Sequence, residues 1–296
     1  MDEKDWMAER FEEHRARLRA VAYRMLGSLD EADDAVQDTW LRLSRAGASE
    51  VENLGGWLTT IVARVCLNIL RARNVRREEP LGVHLPDPVI RPPEEEALLA
   101  DSVGLALLVV LDTLAPDERL AFVLHDMFEL PFDEIAPMIA RSPAAARQLA
   151  SRARRRVKGA EIPTPDADLA RQRQVVDAFF QAARAGNFDA LVALLDPDVV
   201  LRADAGAGRP AASFLIRGAV AVARQALSGG FSKHVRQTAV LRPALVNGVA
   251  GVVVTVGGRP FLVMAFTVVE GKIVEIDGIG DPERVRRTAA AVLTDE

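Results

Sequence analysis

From the N-terminus to about Arg77, apolar residues recur at helical spacing with almost no strand-like alternation, which predicts an all-α domain over residues 1–77. Ser28-Leu29-Asp30-Glu31 has the spacing of a capping box, and the helix that it opens carries Val36, Trp40 and Leu43 on a buried stripe. Gly55 to Arg77 repeats the pattern with Trp57, Leu58, Ile61, Val65, Ile69 and Leu70 as its core positions. A second helical block spans residues 94–160. There Leu114 to Phe128 forms a helix with Pro116 in its first turn, and Leu130 to Ala140 forms another, which Pro137 is expected to bend. Ser142 is placed to cap, and Pro143 to begin, a last helix running to Val157, which is helix-turn-helix spacing.

Residues 78–93 differ from both blocks: repeated prolines remove amide donors and force extended geometry, the mark of a semi-rigid linker. Ile162-Pro163-Thr164-Pro165 makes a second break. After Leu169 the pattern changes kind. A helix (Val175 to Ala185) and a short one (Phe188 to Leu195) precede β-rich runs at 239–246, 249–256, 261–269 and 273–279. Asn247-Gly248, Gly257-Gly258 and Glu270-Gly271 join these runs as hairpin turns. The expected fold class is multidomain: two all-α modules, the second with a helix-turn-helix, then an α+β domain over 169–285 built as an antiparallel meander with helices on one face.

With 296 residues, 49% of them hydrophobic and 27% charged, the chain is too long for one compact core, in keeping with two or three domains. No apolar run approaches the length that spans a bilayer, and the N-terminus is charged from its first residues. No membrane association is expected, and the location expected is the cytoplasm. Cys66 is the only cysteine and reads as buried and inert. His14, His84, His125 and His234 lack ligand spacing, so no disulfide, metal site or cofactor is expected. The net charge of -5 argues against general nucleic-acid binding, and any such role must rest on local clusters.

Three clusters stand out. Asp30, Asp33, Asp34, Gln37 and Asp38 make an acidic face on the second helix; on its own, such a face is more often simply solvated. Arg64, Asn68, Arg71, Arg73, Arg76 and Arg77 gather toward the C-terminal end of the next helix, more arginine than helix-dipole electrostatics requires. The last helix of the second block exposes Arg147, Gln148, Ser151, Arg152, Arg154, Arg155 and Arg156, a basic face that after a capped turn reads as a recognition helix.

The acidic, Trp-containing helix followed by Trp57-Leu58-x-x-Ile61-x-x-Arg64 resembles region two of the extracytoplasmic-function sigma factors. Leu111 to Lys158, with Glu134-Ile135-Ala136 and Ser142-Pro143, resembles region four of the same family. The resemblance implies a transcription-initiation subunit with core RNA polymerase and promoter DNA as partners. It places Asp34, Gln37, Asp38 and Trp40 at the polymerase and Arg64, Asn68 and Arg71 at the separated minus-ten strand. Arg147, Gln148, Ser151 and Arg152 fall at the upstream element. Commoner members have Asn at the position of Arg64 and Asp at that of Asn68.

The C-terminal part resembles the SnoaL-like cone-shaped domains, whose superfamily includes polyketide cyclases and ketosteroid isomerases and whose curved sheet wraps an apolar cavity. An apolar ligand is thereby implied. Asp204, Asp277 and His234 are the candidate bases. Proton abstraction also needs a polarising donor, and the single tyrosine, Tyr23, lies in the first domain, so no catalytic set is expected. An enzyme of cyclase or isomerase type tethered to a DNA-binding module is the alternative, and a ligand-sensing repressor a third reading.

One sigma-factor group fuses such a domain after region four and carries Trp-Leu-Pro-Glu-Pro, Asp-Gly-Gly-Gly-Lys and Asn-Pro-Asp-Lys-Leu motifs. The counterparts here are His84-Leu85-Pro86-Asp87-Pro88, Asp204-Ala205-Gly206-Ala207-Gly208-Arg209 and Asp281-Pro282-Glu283-Arg284-Val285. The resemblance implies that His84, Leu85, Pro86 and Pro88 dock near Asp204, Gly206, Gly208, Asp281 and Pro282. Through that contact the domain would regulate the sigma modules in cis.

Overall fold

The computed structural model describes residues 3–46, 53–76, 83–93, 104–228 and 238–293. The chain divides into two compact units, one drawn from Met1–Glu79 and Leu107–Ile162, the other from Pro80–Ala106 and Pro163–Glu296. The tip of the second predicted helical block (94–103), the start of the linker (78–82), Arg77 and His234 lie outside the described residues.

In the first unit α1 (Glu3–Leu26), α2 (Leu29–Ala46) and α3 (Leu54–Arg76) pack on one another. Their apolar stripes meet in a core of Phe11, Leu18, Met25, Leu43, Leu58 and Leu67. Ser28 Oγ accepts from the Glu31 amide at the mouth of α2, as the capping spacing requires. Cys66 is buried and unpaired, and burial pushes its thiol up to about 12, which keeps it inert.

The second helical block contributes α4 (Leu105–Asp112), α5 (Pro116–Phe122), α6 (Phe132–Ile135) and α7 (Pro143–Gly159). The coil of α5 widens into a π turn over Val123–Met127. The helix read through Ala140 is shorter than expected: α6 stops at Ile135 and tightens into a 3₁₀ turn over Ala136–Met138. Pro137 ends the helix rather than bending it, because it has no amide to continue the ladder. Ala140 then turns back at φ 52. Ser142 caps α7 through the Ala145 amide with Pro143 in the first turn, and Ala146, Ala150 and Ala153 face inward. The two helical blocks meet around Arg119, which is 1% exposed and donates to Asp112 at 2.8 Å and to the Arg24 carbonyl at 3.2 Å.

The second unit is built on one sheet. Its strands are β1 (Ile90–Arg91), β2 (Leu195–Asp204), β3 (Phe214–Arg217), β4 (Ala239–Val246), β5 (Val249–Val256), β6 (Arg259–Val269) and β7 (Lys272–Ile279), in the order β1-β4-β5-β6-β7-β2-β3. The β4 to β7 meander matches the sequence reading, and each of its three turns holds two residues at positive φ, the mirror-image geometry that suits strand twist. The sheet is mixed rather than wholly antiparallel, because β2, which precedes the meander, lies parallel to β7. β2 begins at Leu195, where the short helix was expected to end, and β1 comes from the proline-rich linker, whose last residues pair with β4.

Helices α8 (Leu169–Ala185), α9 (Phe188–Leu194) and α10 (Ala219–Ser228) cover one face, with Val176, Phe179, Leu191 and Val222 packed against Val252 and Phe266. Helices were expected on that face alone. Val263 and Ala265, which alternate with the inward Met264 and Phe266, are buried as well, and α11 (Pro282–Thr288) packs on β6. A last turn, α12 (Ala290–Leu293), lies by β1.

Candidate functional site

On the first unit, Asp34 and Gln37 project from α2 into solvent, as their helical phase dictates. Asp38 is half-buried and takes Arg42 at 3.0 Å, while Trp40 tilts against Phe11 with ring centroids 5.2 Å apart. Asn68 borders the same shallow depression as Asp34 and Asp38, so the structure brings together residues that the family resemblance divides between polymerase and DNA.

The other two residues of that group meet the second helical block. Arg71 donates twice to Asp117 on α5, at 2.8 and 3.1 Å, and Arg64 reaches the Pro137 carbonyl at 3.5 Å. Arg73 is tied to Glu31, so part of the basic cluster joins α3 to α2.

On α7, Gln148 and Ser151 are exposed, and Arg147 lies over the Phe132 ring at 5.2 Å. Arg152 pairs with Glu118 at 3.0 Å, Arg156 approaches the same carboxylate at 3.5 Å, and Arg154 holds Asp126. Arg152, Arg154 and Arg156 of the basic face are therefore partly engaged in bracing α7 against α5 and the turn that follows it.

The second unit brings linker, loop and tail together. The Asp204 carboxylate accepts from the Leu85 amide at 2.9 Å, the Gly206 amide at 2.8 Å and the Arg284 guanidinium at 2.7 Å, with His84 Nδ1 at 3.5 Å. Burial opposes its ionisation. The hydrogen bonds from His84, Leu85 and Gly206, with the charge of Arg284, outweigh burial and hold the carboxyl well below the usual carboxylate range. Arg284 also donates to Asp87 at 2.6 Å and to the Leu85 carbonyl, and Arg287 reaches Asp87 at 3.2 Å. Leu85, Pro86, Asp87 and Pro88 are all buried. Asp281 caps α11 by accepting from the Glu283 and Arg284 amides, which aims Arg284 at the linker, and Pro282 opens that helix. Gly206 sits at φ 82, where an added Cβ would fall 1.9 Å from an Asp281 oxygen. Gly208 is exposed and crowds nothing.

Between the helices and the sheet lies a cavity of about 930 Å³, walled by Phe179, Phe180, Leu241, Val254 and Met264 among others. Ile276 and Gly278 face it; Asp277, between them, points to the opposite face and binds Arg202 at 3.0 Å. Burial pushes the Asp277 carboxyl up to about 6 in spite of Arg202, with the Glu275 charge adding to the rise. A base of that pKa suits proton transfer, but this one has no access to the cavity.

The sigma-70 region 2 family model matches residues 10–76, and the sigma-70 region 4 model matches residues 104–157. The ECF RNA polymerase sigma factor SigJ of Mycobacterium tuberculosis is 37% identical over 289 residues, covering 93% of this chain and 91% of that protein. This chain belongs to the ECF RNA polymerase sigma factors. A probable ECF sigma factor of the same organism, SigI, is 37% identical over 70% of this chain and 73% of its own length. The crystal structure of the M. tuberculosis sigma factor SigJ superposes with a TM-score of 0.72 at 34% identity, over 94% of this chain and 97% of that one.

In this sigma factor, region two is thus the α1 to α3 bundle, region four is α4 to α7, and the α+β unit follows. The sequence motifs included Asp87 and Arg284 without giving either a role, and left out Arg287; these three carry most of the charge between linker and tail. The available signal was an acid within a proline-rich linker and two arginines on the tail helix. Among the described residues no helix is long and apolar enough to cross a membrane, and no cluster of His, Cys, Asp and Glu could hold a metal ion.

Proposed function

We propose that the C-terminal domain of this sigma factor sets promoter use in cis, by gripping the linker that joins regions two and four. The observation that carries this reading is the buried network in which Arg284 binds Asp204, Asp87 and the Leu85 carbonyl together. The linker is the only stretch of chain between the two promoter-reading regions, so its freedom limits how far they separate. The domain acts as a regulator in the cytoplasm and not as a catalyst, with an apolar small molecule as the occupant of its cavity.

Under the same proposal Asp34, Gln37, Asp38 and Trp40 meet core polymerase. Arg64, Asn68 and Arg71 take the unpaired minus-ten strand, and Arg147, Gln148, Ser151 and Arg152 read the upstream element. The pairing of Arg71 with Asp117 supports a resting form that opens before promoter capture.

Replacing Arg284 by Ala leaves two buried carboxylates short of their main cation, a loss of about 3–5 kcal/mol for a broken buried pair. Run-off transcription with purified core enzyme is expected to rise, and the linker to become more sensitive to protease, while regions two and four keep their helical signal. Linker cleavage that increases without any change in transcription would defeat the regulatory reading.

A further inference from the structure

Three charged residues stand on the cavity wall among those described: Arg184, Arg209 and Asp204. Asp204 is already satisfied by Arg284 and by the Leu85 and Gly206 amides, so the wall presents an excess of positive charge above an apolar interior. Arg209 is exposed, and among the described residues its guanidinium donates to the Gly280 carbonyl at 2.8 Å. Gly280 itself donates to the Asp204 carbonyl at 2.7 Å and directly precedes Asp281, the cap of the helix that carries Arg284. Asp204, Arg209 and Gly280 therefore belong at once to the cavity wall and to the hold on the linker.

We propose that the cavity binds an apolar monocarboxylic acid, its chain among the phenylalanines and its carboxylate on Arg209, and that this binding loosens the linker. The volume of about 930 Å³ is in the range that encloses a small organic ligand. A carboxylate makes a charge-assisted bond to guanidinium roughly twice as strong as a neutral carbonyl does, so it displaces Gly280 from Arg209. The Asp204 loop then loses a tie to the start of the tail helix. This inference rests on the cis-regulatory reading for its biological meaning, but its test reads the linker directly and needs no transcription.

Full-length protein is titrated calorimetrically with dodecanoate, dodecan-1-ol and dodecylammonium at micromolar concentrations, and hydrogen exchange of the 84–89 segment is followed at saturation. Dodecanoate is expected to bind about tenfold more tightly than the alcohol, with the ammonium weakest. Arg209→Gln removes that preference, and Ala226→Trp, which fills the cavity, abolishes binding. Exchange at the Leu85 amide, which donates to Asp204, rises with dodecanoate; in Arg209→Gln, which lacks the guanidinium tie to Gly280, it is already raised without ligand and dodecanoate changes it no further. No binding of dodecanoate, equal affinity for acid and alcohol, or binding unaffected by Ala226→Trp overturns the ligand assignment. Saturation with unchanged Leu85 exchange overturns the coupling. If Arg284→Ala leaves transcription unaltered while dodecanoate still speeds Leu85 exchange, the cis-regulatory reading fails and the ligand site stands.

Discussion

Arg202 donates to Asp277 at 3.0 Å on the face of the sheet turned away from the cavity, yet the carboxyl it holds is pushed up to about 6. Burial is the first cause, and Glu275, bound to the same arginine at 3.0 Å, adds a second negative charge. The folded protein thus retains a proton at Asp277 over a range where the unfolded chain, titrating near 4, has released it. The stability from this group is fully present below about pH 4 and is lost as pH rises through about 6. Asp277→Asn is expected to remove that slope. Urea midpoints from pH 4.5 to 7.5 should give a difference between variant and wild type that grows with pH and levels off near neutrality; parallel curves would mean that Asp277 does not titrate there.

Gly206→Ala probes the loop by backbone rather than by charge. A left-handed φ of 82 is unfavourable for alanine, and the new methyl would collide with the Asp281 carboxylate. A loss of about 1–3 kcal/mol is expected, with the linker cut faster by protease while region four keeps its melting behaviour. Gly208→Ala meets nothing and serves as the control, expected to behave as wild type.

Reversing Asp34 and Asp38 to lysine should weaken core polymerase binding by on the order of tenfold or more, since like charges at a matched interface repel. Of the two, Asp38 pairs with Arg42 across a largely exposed contact worth at most about 1 kcal/mol, so the fold should survive. Unchanged affinity in a folded double variant would return this face to solvent.

Arg147→Ala with Arg152→Ala is expected to reduce transcription chiefly from promoters that retain the upstream element, by about 1–3 kcal/mol for each hydrogen-bonded base edge no longer read. Arg152 also pairs with Glu118, but Arg156 remains near that carboxylate, and α7 should hold. A decrease of equal size on promoters without the element would show that the residues support the fold and not recognition.

What the sequence disclosed was set largely by distance along the chain. Asn247-Gly248 and Glu270-Gly271 fix their hairpins from within, because left-handed pairs suit the twist of adjoining strands, and those strands could be read almost to the residue. Ser142 and Pro143 likewise declare the start of α7 locally. β2 was not legible as a ten-residue strand, for its partners are β7, far along the chain, and a short β3. Nor was the strand in the linker: Pro86 and Pro88 argue against a sheet, and Ile90 pairs only because Val246 is brought alongside. An exposed arginine looks alike in sequence whether free or paired, and so Arg71 was assigned to DNA without sight of Asp117.

Ile90 and Arg91 do more than end a linker, because they occupy the hydrogen-bonding margin of β4 at Val246 and Leu245, while Asn247 exchanges backbone and side-chain bonds with Val89. An uncovered strand margin is a template for pairing with another chain. Under the cis-regulatory proposal, freeing the linker for promoter binding would also strip that cover from β4, and the form ready to act would be the one most exposed to self-association. On that proposal, return of the linker after transcription would serve solubility as well as control.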